Sequence, residues 1–225
     1  MNILITGGTG LIGRALCRSL ELHHSLTVLT RNLHEVSPLI SPYVVLIDTL
    51  ESVDFNKIDV VINLAGEPIA NKRWSKLQKS RIEQSRWVLT QELAVAIEAA
   101  DTPPSLFISG SAIGYYGKQT VVNIDEDFTD FTDEFSHQLC QRWEQIAQGA
   151  ASPATRVVVV RTGIVLSHLG GALAKMLPAF RLGLGGPVAS GEQVMSWIHI
   201  DDMVRLIQFL ISNQGLSGVI NAVAP

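Results

Sequence analysis

Cysteine is nearly missing from the 225-residue chain: the two present, Cys17 and Cys140, lie far apart and form no C-x-x-C or Cys/His cluster. This excludes a disulfide framework and a zinc-type site and fits a reducing compartment, so a cytoplasmic location and no bound metal are expected. An excess of one charge is missing too. The 17 Lys and Arg against 21 Asp and Glu give a formal net charge of -4, which excludes a general binder of nucleic acid or of anionic membranes. No apolar run approaches the ~20 residues of a membrane span. No charged segment precedes an apolar stretch, because strand-like residues begin at Asn2, so neither export nor membrane association is expected. Internal repeats, coiled-coil heptads and low-complexity linkers are absent as well.

What is present is core material. Hydrophobic residues make up 47% of the sequence, enough for one α/β domain spanning residues 1–225. Short apolar runs at Asn2 to Ile5, Ser25 to Thr30, Tyr43 to Ile47, Asp59 to Gly66, Ser105 to Ser109, Arg156 to Arg161 and Gly218 to Val223 read as strands. The run at Asp59 is continuously apolar, as a parallel strand covered on both faces should be. Helical spacing is found at 11–22, 75–99, 135–148, 172–182 and 202–212, the last with Asp201 as its expected N-cap. Residues 32–42 hold Pro38 and Pro42 and look too broken for a full crossover helix. Strands alternating with helices imply a doubly wound parallel sheet. The acidic stretch from Asp125 to Glu134 lacks histidines and EF-hand spacing and reads as a solvated loop, and His199 reads as a packed structural residue.

The first turn, Thr6-Gly7-Gly8-Thr9-Gly10-Leu11-Ile12-Gly13, carries the strongest chemical signal. A helix N-terminus presents unpaired N–H groups and a partial positive charge, so it holds a phosphate wherever no side chain blocks the approach. Gly10 would let the backbone approach a pyrophosphate, and Gly13 would let the helix pack close to the strand. The spacing alone also suits a plain tight turn; its place directly between a strand and a helix selects a Rossmann-like dinucleotide site. In such a unit an acidic residue about twenty positions further on holds the ribose hydroxyls of NAD. Here that place holds Thr30, followed by Arg31. A guanidinium there could take a 2′-phosphate in bidentate fashion, which favours NADP; the alternative is a surface arginine at a strand end.

In order along the chain, Thr6 to Gly13, Asn63-Leu64-Ala65-Gly66, Ser109-Gly110-Ser111, Arg161-Thr162-Gly163 and Trp197 to Asp202 resemble the extended short-chain dehydrogenase/reductases of the NAD-dependent epimerase/dehydratase superfamily. More narrowly, Glu67-Pro68, Arg73-Trp74, Ser85-Arg86, Arg142-Trp143-Glu144 and Phe180 to Pro187 resemble the atypical "epimerase family" subgroup, often described as cell-division-inhibitor-like. The resemblance implies Gly7, Gly8, Thr9, Gly10, Leu11, Ile12 and Gly13 at the pyrophosphate, Thr30 and Arg31 at the adenosine phosphate, and Leu64, Ala65 and Gly66 beside the ribose. Asp48, Arg86, Ser109 and Val165 complete the expected cofactor set. Members of the subgroup continue past the last strand, so with the chain ending at Pro225 the substrate lobe is expected to be small and truncated, with its elements mainly in 164–200.

One departure is marked. Hydride-transferring members use Tyr-x-x-x-Lys, in which the lysine lowers the tyrosine pKa. The three tyrosines here, Tyr43, Tyr115 and Tyr116, have no lysine four residues on, and with Glu144 matched to the family glutamate the two places hold Ser136 and Cys140. Ser111 matches the substrate-orienting Ser/Thr of the superfamily and Tyr115 is the nearest phenol; both serve as candidate catalysts or as polar wall. Lys72, Arg73, Lys76, Lys79 and Arg81, interleaved with Trp74 and Trp87, form a solvated helix face with packed tryptophans or a partner face, with no nucleic acid expected. Two functions follow: an NADP(H)-binding oxidoreductase or nucleotide-sugar epimerase-like enzyme acting on a small molecule, or a non-catalytic NADP(H)-sensing regulator with a protein partner, linked to cell division.

Overall fold

The computed structural model describes residues 1–33, 39–70, 72–120, 123–187 and 190–224. Seven parallel strands form the central sheet: β1 (Asn2–Thr6), β2 (Ser25–Leu29), β3 (Val45–Ile47), β4 (Val60–Asn63), β5 (Leu106–Ala112), β6 (Arg156–Thr162) and, last in the chain, β9 (Gly218–Ala222). Their order across the sheet is β3-β2-β1-β4-β5-β6-β9. From β1 the chain builds outward to β3, then returns to place β4 on the other side of β1. This reversal opens a crevice beyond the C-terminal ends of β1 and β4, the place where doubly wound folds bind ligands.

Alternation along each strand sends successive side chains to opposite faces. Ile3, Ile5, Val60, Ile62, Ile108, Val158 and Val160 meet Leu16 and Leu20 of α1 (Leu11–Leu20) and Met203, Ile207 and Leu210 of α5 (Ile200–Ser212) on one face. Leu4, Val61, Phe107, Val157 and Val159 meet Leu93, Ala94 and Ile97 of α2 (Lys76–Glu98) and Ala147 of α3 (Phe135–Gln148) on the other. The doubly wound α/β reading therefore holds, and the middles of the inner strands are apolar on successive residues because both faces are covered.

Several boundaries differ from the sequence reading. The strand expected from Tyr43 starts at Val45, with Tyr43 exposed, and β5 runs on through Ser111 to Ala112. Of the broken stretch 32–42, residues 34–38 lie outside the described residues. The N-cap of α5 is His199, not Asp201: its Nδ1 accepts from the Asp201 N–H at 3.3 Å, and the helix starts at Ile200. His199 is exposed and works as a cap, which corrects its reading as a packed side chain; Asp201 sits in the first turn, where a carboxylate suits the helix dipole. A second, two-stranded parallel sheet, β7 (Ile164–Leu166) with β8 (Trp197–His199), follows β6 and leads through α4 (Gly171–Arg181). Among the described residues no helix is long and apolar enough to cross a membrane.

Candidate functional site

The glycine turn is built by close approach. Gly7 has φ +70°, and a Cβ there would stand 2.5 Å from the Leu64 carbonyl carbon. At Gly13 a Cβ would meet the Gly7 oxygen and stand 2.5 Å from Gly8 Cα, so α1 can rest on the turn only through glycine. Gly8 lies on Val28 of β2. Gly10 differs: it is the N-cap of α1, has no side-chain cap bond, and a Cβ there would find only the Gly7 oxygen, at 3.3 Å. With no acidic residue in the first turn, the N–H groups of this helix end face open space, a favourable anion site. The resulting cleft, of about 260 Å³, is lined by Gly7, Gly10, Leu11, Ile12, Gly13, Leu64, Ile164, Val165, Gly171 and Ala172. It joins the turn, the end of β4, β7 and the start of α4.

Below this turn a buried polar chain ties four elements together. Thr6 Oγ1 donates to Asn63 Oδ1 at 2.6 Å, and Asn63 Nδ2 donates to Thr90 Oγ1 at 2.8 Å. Thr90 also accepts from Trp143 Nε1 at 2.9 Å and donates to the Arg86 carbonyl at 2.6 Å. Each side chain of this network finds a partner, as burial requires, so the ends of β1 and β4 are fixed relative to α2 and α3.

Thr30 is buried at the end of β2, where its N–H donates to the Ile47 carbonyl at 2.8 Å, and Arg31 and Asp48 beside it are exposed. Arg86 lies against Gly66, where a Cβ would come within 2.8 Å of its Cζ. Its guanidinium donates to the carbonyls of Glu67, at 3.2 Å, and Ile82, at 3.1 Å. Burial pulls its pKa below the usual arginine value. In this state Arg86 clamps the segment after β4. Ser109 is buried and donates to the Gly110 carbonyl at 3.3 Å. Thr30, Arg31, Asp48, Arg86 and Ser109 stand outside the walls of the glycine cleft, whereas Leu64 and Val165 line it.

A second cavity, of about 650 Å³, opens beyond β5, β6 and β9. Its wall comes from Ile113, Tyr116, Gly117, Gln119, Thr120, Asn123 and Ile124 on one side and from Ile164, Val194, Met195, Ser196, Asn221 and Val223 on the other. Ile164 lines both cavities, so they are neighbours there.

Behind this wall lies a charged cluster whose role the sequence reading missed. Glu144 of α3 and Arg161 of β6 are buried and paired twice, Nε to Oε1 at 2.9 Å and Nη2 to Oε2 at 2.8 Å. Ser111 donates to Glu144 Oε1 at 2.6 Å. Burial pulls the Arg161 pKa down, but the Glu144 carboxylate and the Tyr116 hydroxyl outweigh it, and the net shift is upward. Arg161 also donates to the Tyr116 oxygen at 2.9 Å and lies 3.5 Å over the centre of the Tyr115 ring. Tyr115 further packs edge-on against Phe131 and His137. The Tyr116 oxygen stands 2.8 Å from Asn221 Oδ1. Cys140, at the place of the family lysine, is buried; burial first, then the Glu144 charge, push its thiol up to about 11. It is a neutral thiol at ordinary pH, unsuited to nucleophilic work. Ser111 and Tyr115 sit together around Arg161, but neither lines either cavity; Tyr116, one residue on, does.

A parallel sheet of this order, with a glycine turn at its switch point and a second cavity alongside, defines a dinucleotide-binding α/β protein. The family model for the NAD dependent epimerase/dehydratase family matches residues 3–222, and the chain belongs to that family. It is 37% identical over 228 aligned residues to the epimerase family protein SDR39U1 of Bos taurus, covering 100% of this chain and 75% of the relative. A crystal structure of human epimerase family protein SDR39U1 (isoform2) with NADPH matches all of this chain and 75% of that one, with TM-score 0.89 and 37% identity. The nucleoside-diphosphate sugar epimerase from Corynebacterium glutamicum matches with TM-score 0.82 and 32% identity over 100% of this chain and 46% of that one.

Proposed function

We propose that the chain binds NADP(H) along the glycine cleft and acts as an oxidoreductase or epimerase-like enzyme on a small molecule held in the larger cavity. The observation that supports this reading is that Ile164 lines both cavities, so that they lie side by side at the end of the sheet. The residues fit the cofactor: the Gly10 N-cap leaves the helix end open to a pyrophosphate, and the exposed Arg31 stands where a carboxylate would select NAD. The 37% identity to a protein crystallised with NADPH supports the same choice. When bound, the cofactor supplies or accepts the hydride. Tyr116, which lines the larger cavity, is the phenol at the substrate, and Ser111 and Tyr115, which line neither cavity, support it from behind through Glu144 and Arg161.

A second reading is favoured by one observation: Ser111 donates its hydroxyl hydrogen bond to Glu144 and, like Tyr115, stands outside both cavities. On that reading the chain senses NADP(H) and reports it to a protein partner. Calorimetric titration tests the shared premise. NADPH should bind more tightly than NADH, and Arg31→Asp should cost NADPH more than about 1.5 kcal/mol, the scale of a lost charge-assisted contact; equal affinities in the unaltered protein would defeat it. Loss of NADPH absorbance with a carbonyl panel, slowed in Ser111→Ala, separates enzyme from sensor.

A further inference from the structure

We infer that the larger cavity takes an uncharged small molecule and rejects nucleoside diphosphate sugars and other anions, an inference that rests on reading this cavity as the substrate site. At about 650 Å³ it has the volume of an ordinary ligand pocket, so size does not decide the matter and charge does. Among the described residues, none that line it is Lys, Arg, His, Asp or Glu; its polar side chains are amide and hydroxyl, from Tyr116, Gln119, Thr120, Asn123, Ser196 and Asn221. Phosphates taken out of water need cations or a nest of N–H donors, without which the loss of hydration is uncompensated.

The cation bonded to the wall residue Tyr116 is already committed. Arg161 gives Nε and Nη2 to Glu144 and Nη1 to the Tyr116 oxygen, so its charge is neutralised behind the wall. The rim adds the opposite sign. Asp125, Glu126 and Asp127 follow Ile124 directly and are exposed, and Glu126 Oε1 accepts from the Asn221 N–H at 2.7 Å, which holds that carboxylate at the cavity edge. Against these three stands Lys118, exposed between Gly117 and Gln119. What the cavity offers a ligand is apolar wall, from Ile113, Ile164 and Met195, and amide donors. With Asn221 Oδ1 taken by Tyr116 at 2.8 Å, the Asn221 Nδ2 group is the donor suited to a carbonyl or hydroxyl oxygen.

The test uses the full chain saturated with NADPH and a matched pair of probes, 4-methylbenzaldehyde and 4-carboxybenzaldehyde, with UDP-glucose as a third. Quenching of NADPH fluorescence and thermal shift report binding. The neutral aldehyde should bind roughly tenfold or more tightly than its carboxylate analogue, and UDP-glucose should give no saturable change. Asn221→Ala should weaken the neutral probe, and Asn123→Arg, which adds a cation at an exposed wall position, should narrow the gap. Carboxylate or UDP-glucose binding as tight as the neutral aldehyde, or no binding by either aldehyde, overturns the inference. Failure of NADPH to bind would defeat the cofactor reading instead, and the aldehyde pair would then be compared by thermal shift on the cofactor-free chain, with the same tenfold preference expected.

Discussion

Glu144→Gln keeps the shape of the side chain and removes its charge, which leaves Arg161 as an unpaired cation that is 4% exposed. Two opposite charges about 4 Å apart attract by ~4 kcal/mol at an effective dielectric constant of ~20, and removing one partner of a buried pair costs about 3–5 kcal/mol in practice. The amide that replaces the carboxylate would still offer one oxygen to Ser111 or to Arg161, so the cost should fall near the lower end, about 3 kcal/mol. Arg161→Met should cost at least as much, because Glu144 then keeps only the Ser111 hydroxyl. The double variant removes both charges and should lose less than the sum of the singles by at least about 2 kcal/mol. Urea unfolding followed by circular dichroism measures all three, with shifts in the midpoint at a constant slope expected. A domain of total stability about 5–15 kcal/mol survives each single change. If either single variant lies within about 1 kcal/mol of the parent, or the two effects simply add, the pair does not organise this part of the molecule.

Three further outcomes follow from the same geometry. Gly13→Ala should cost at least about 2 kcal/mol or prevent folding, because its Cβ meets backbone below 3 Å, while Gly10→Ala, whose Cβ would meet only the Gly7 oxygen at 3.3 Å, should cost no more than about 1 kcal/mol; urea midpoints decide, and equal losses would refute the division of roles. Thr90→Val leaves the buried donors Asn63 Nδ2 and Trp143 Nε1 without an acceptor and should cost about 2–4 kcal/mol by the same measure, whereas a near-neutral result would show that the network is dispensable. Burial raises the thiols of Cys17 and Cys140 from 9.0 to about 11, so folded thiols keep protons that unfolded ones lose. Below pH 9 the effect is fully present; between pH 9 and 11 stability should fall by about 2–3 kcal/mol per thiol, and a Cys17→Ala/Cys140→Ala variant should show a flatter melting profile over that range.

The fold was legible because each signal was repeated. Successive apolar residues in β1, β4, β5 and β6 alternate between two helix layers, which forces continuous apolar runs of three or four residues within these strands and announces a parallel sheet covered on both sides. The glycine turn was legible for a different reason: Gly7 and Gly13 occupy places where any Cβ strikes backbone, so the residue type itself records the geometry. The small sheet of β7 and β8 was missed because three-residue strands are too short to show a period. His199 was misread because a histidine before two aspartates names no clear role until the helix start is fixed, and the helix began at Ile200.

The charged cluster had a signal that went unused. Arg161 ends the apolar run Val157 to Val160 on an interior strand, and a cation there must find a buried partner. Glu144, on a helix whose Leu139, Cys140, Trp143 and Ala147 are buried, is the carboxylate on the same face. Sequence spacing thus sufficed to pair them. It could not choose between Tyr115 and Tyr116, because neighbours on the short turn Ile113–Tyr116 point in different directions and only the turn geometry assigns them. Tyr115 goes over Arg161 and Tyr116 to the cavity wall. A one-residue shift therefore separates two phenols that both touch Arg161, of which only Tyr116 also lines the larger cavity, and chemistry carried over from the family pattern by sequence position alone cannot tell the two apart.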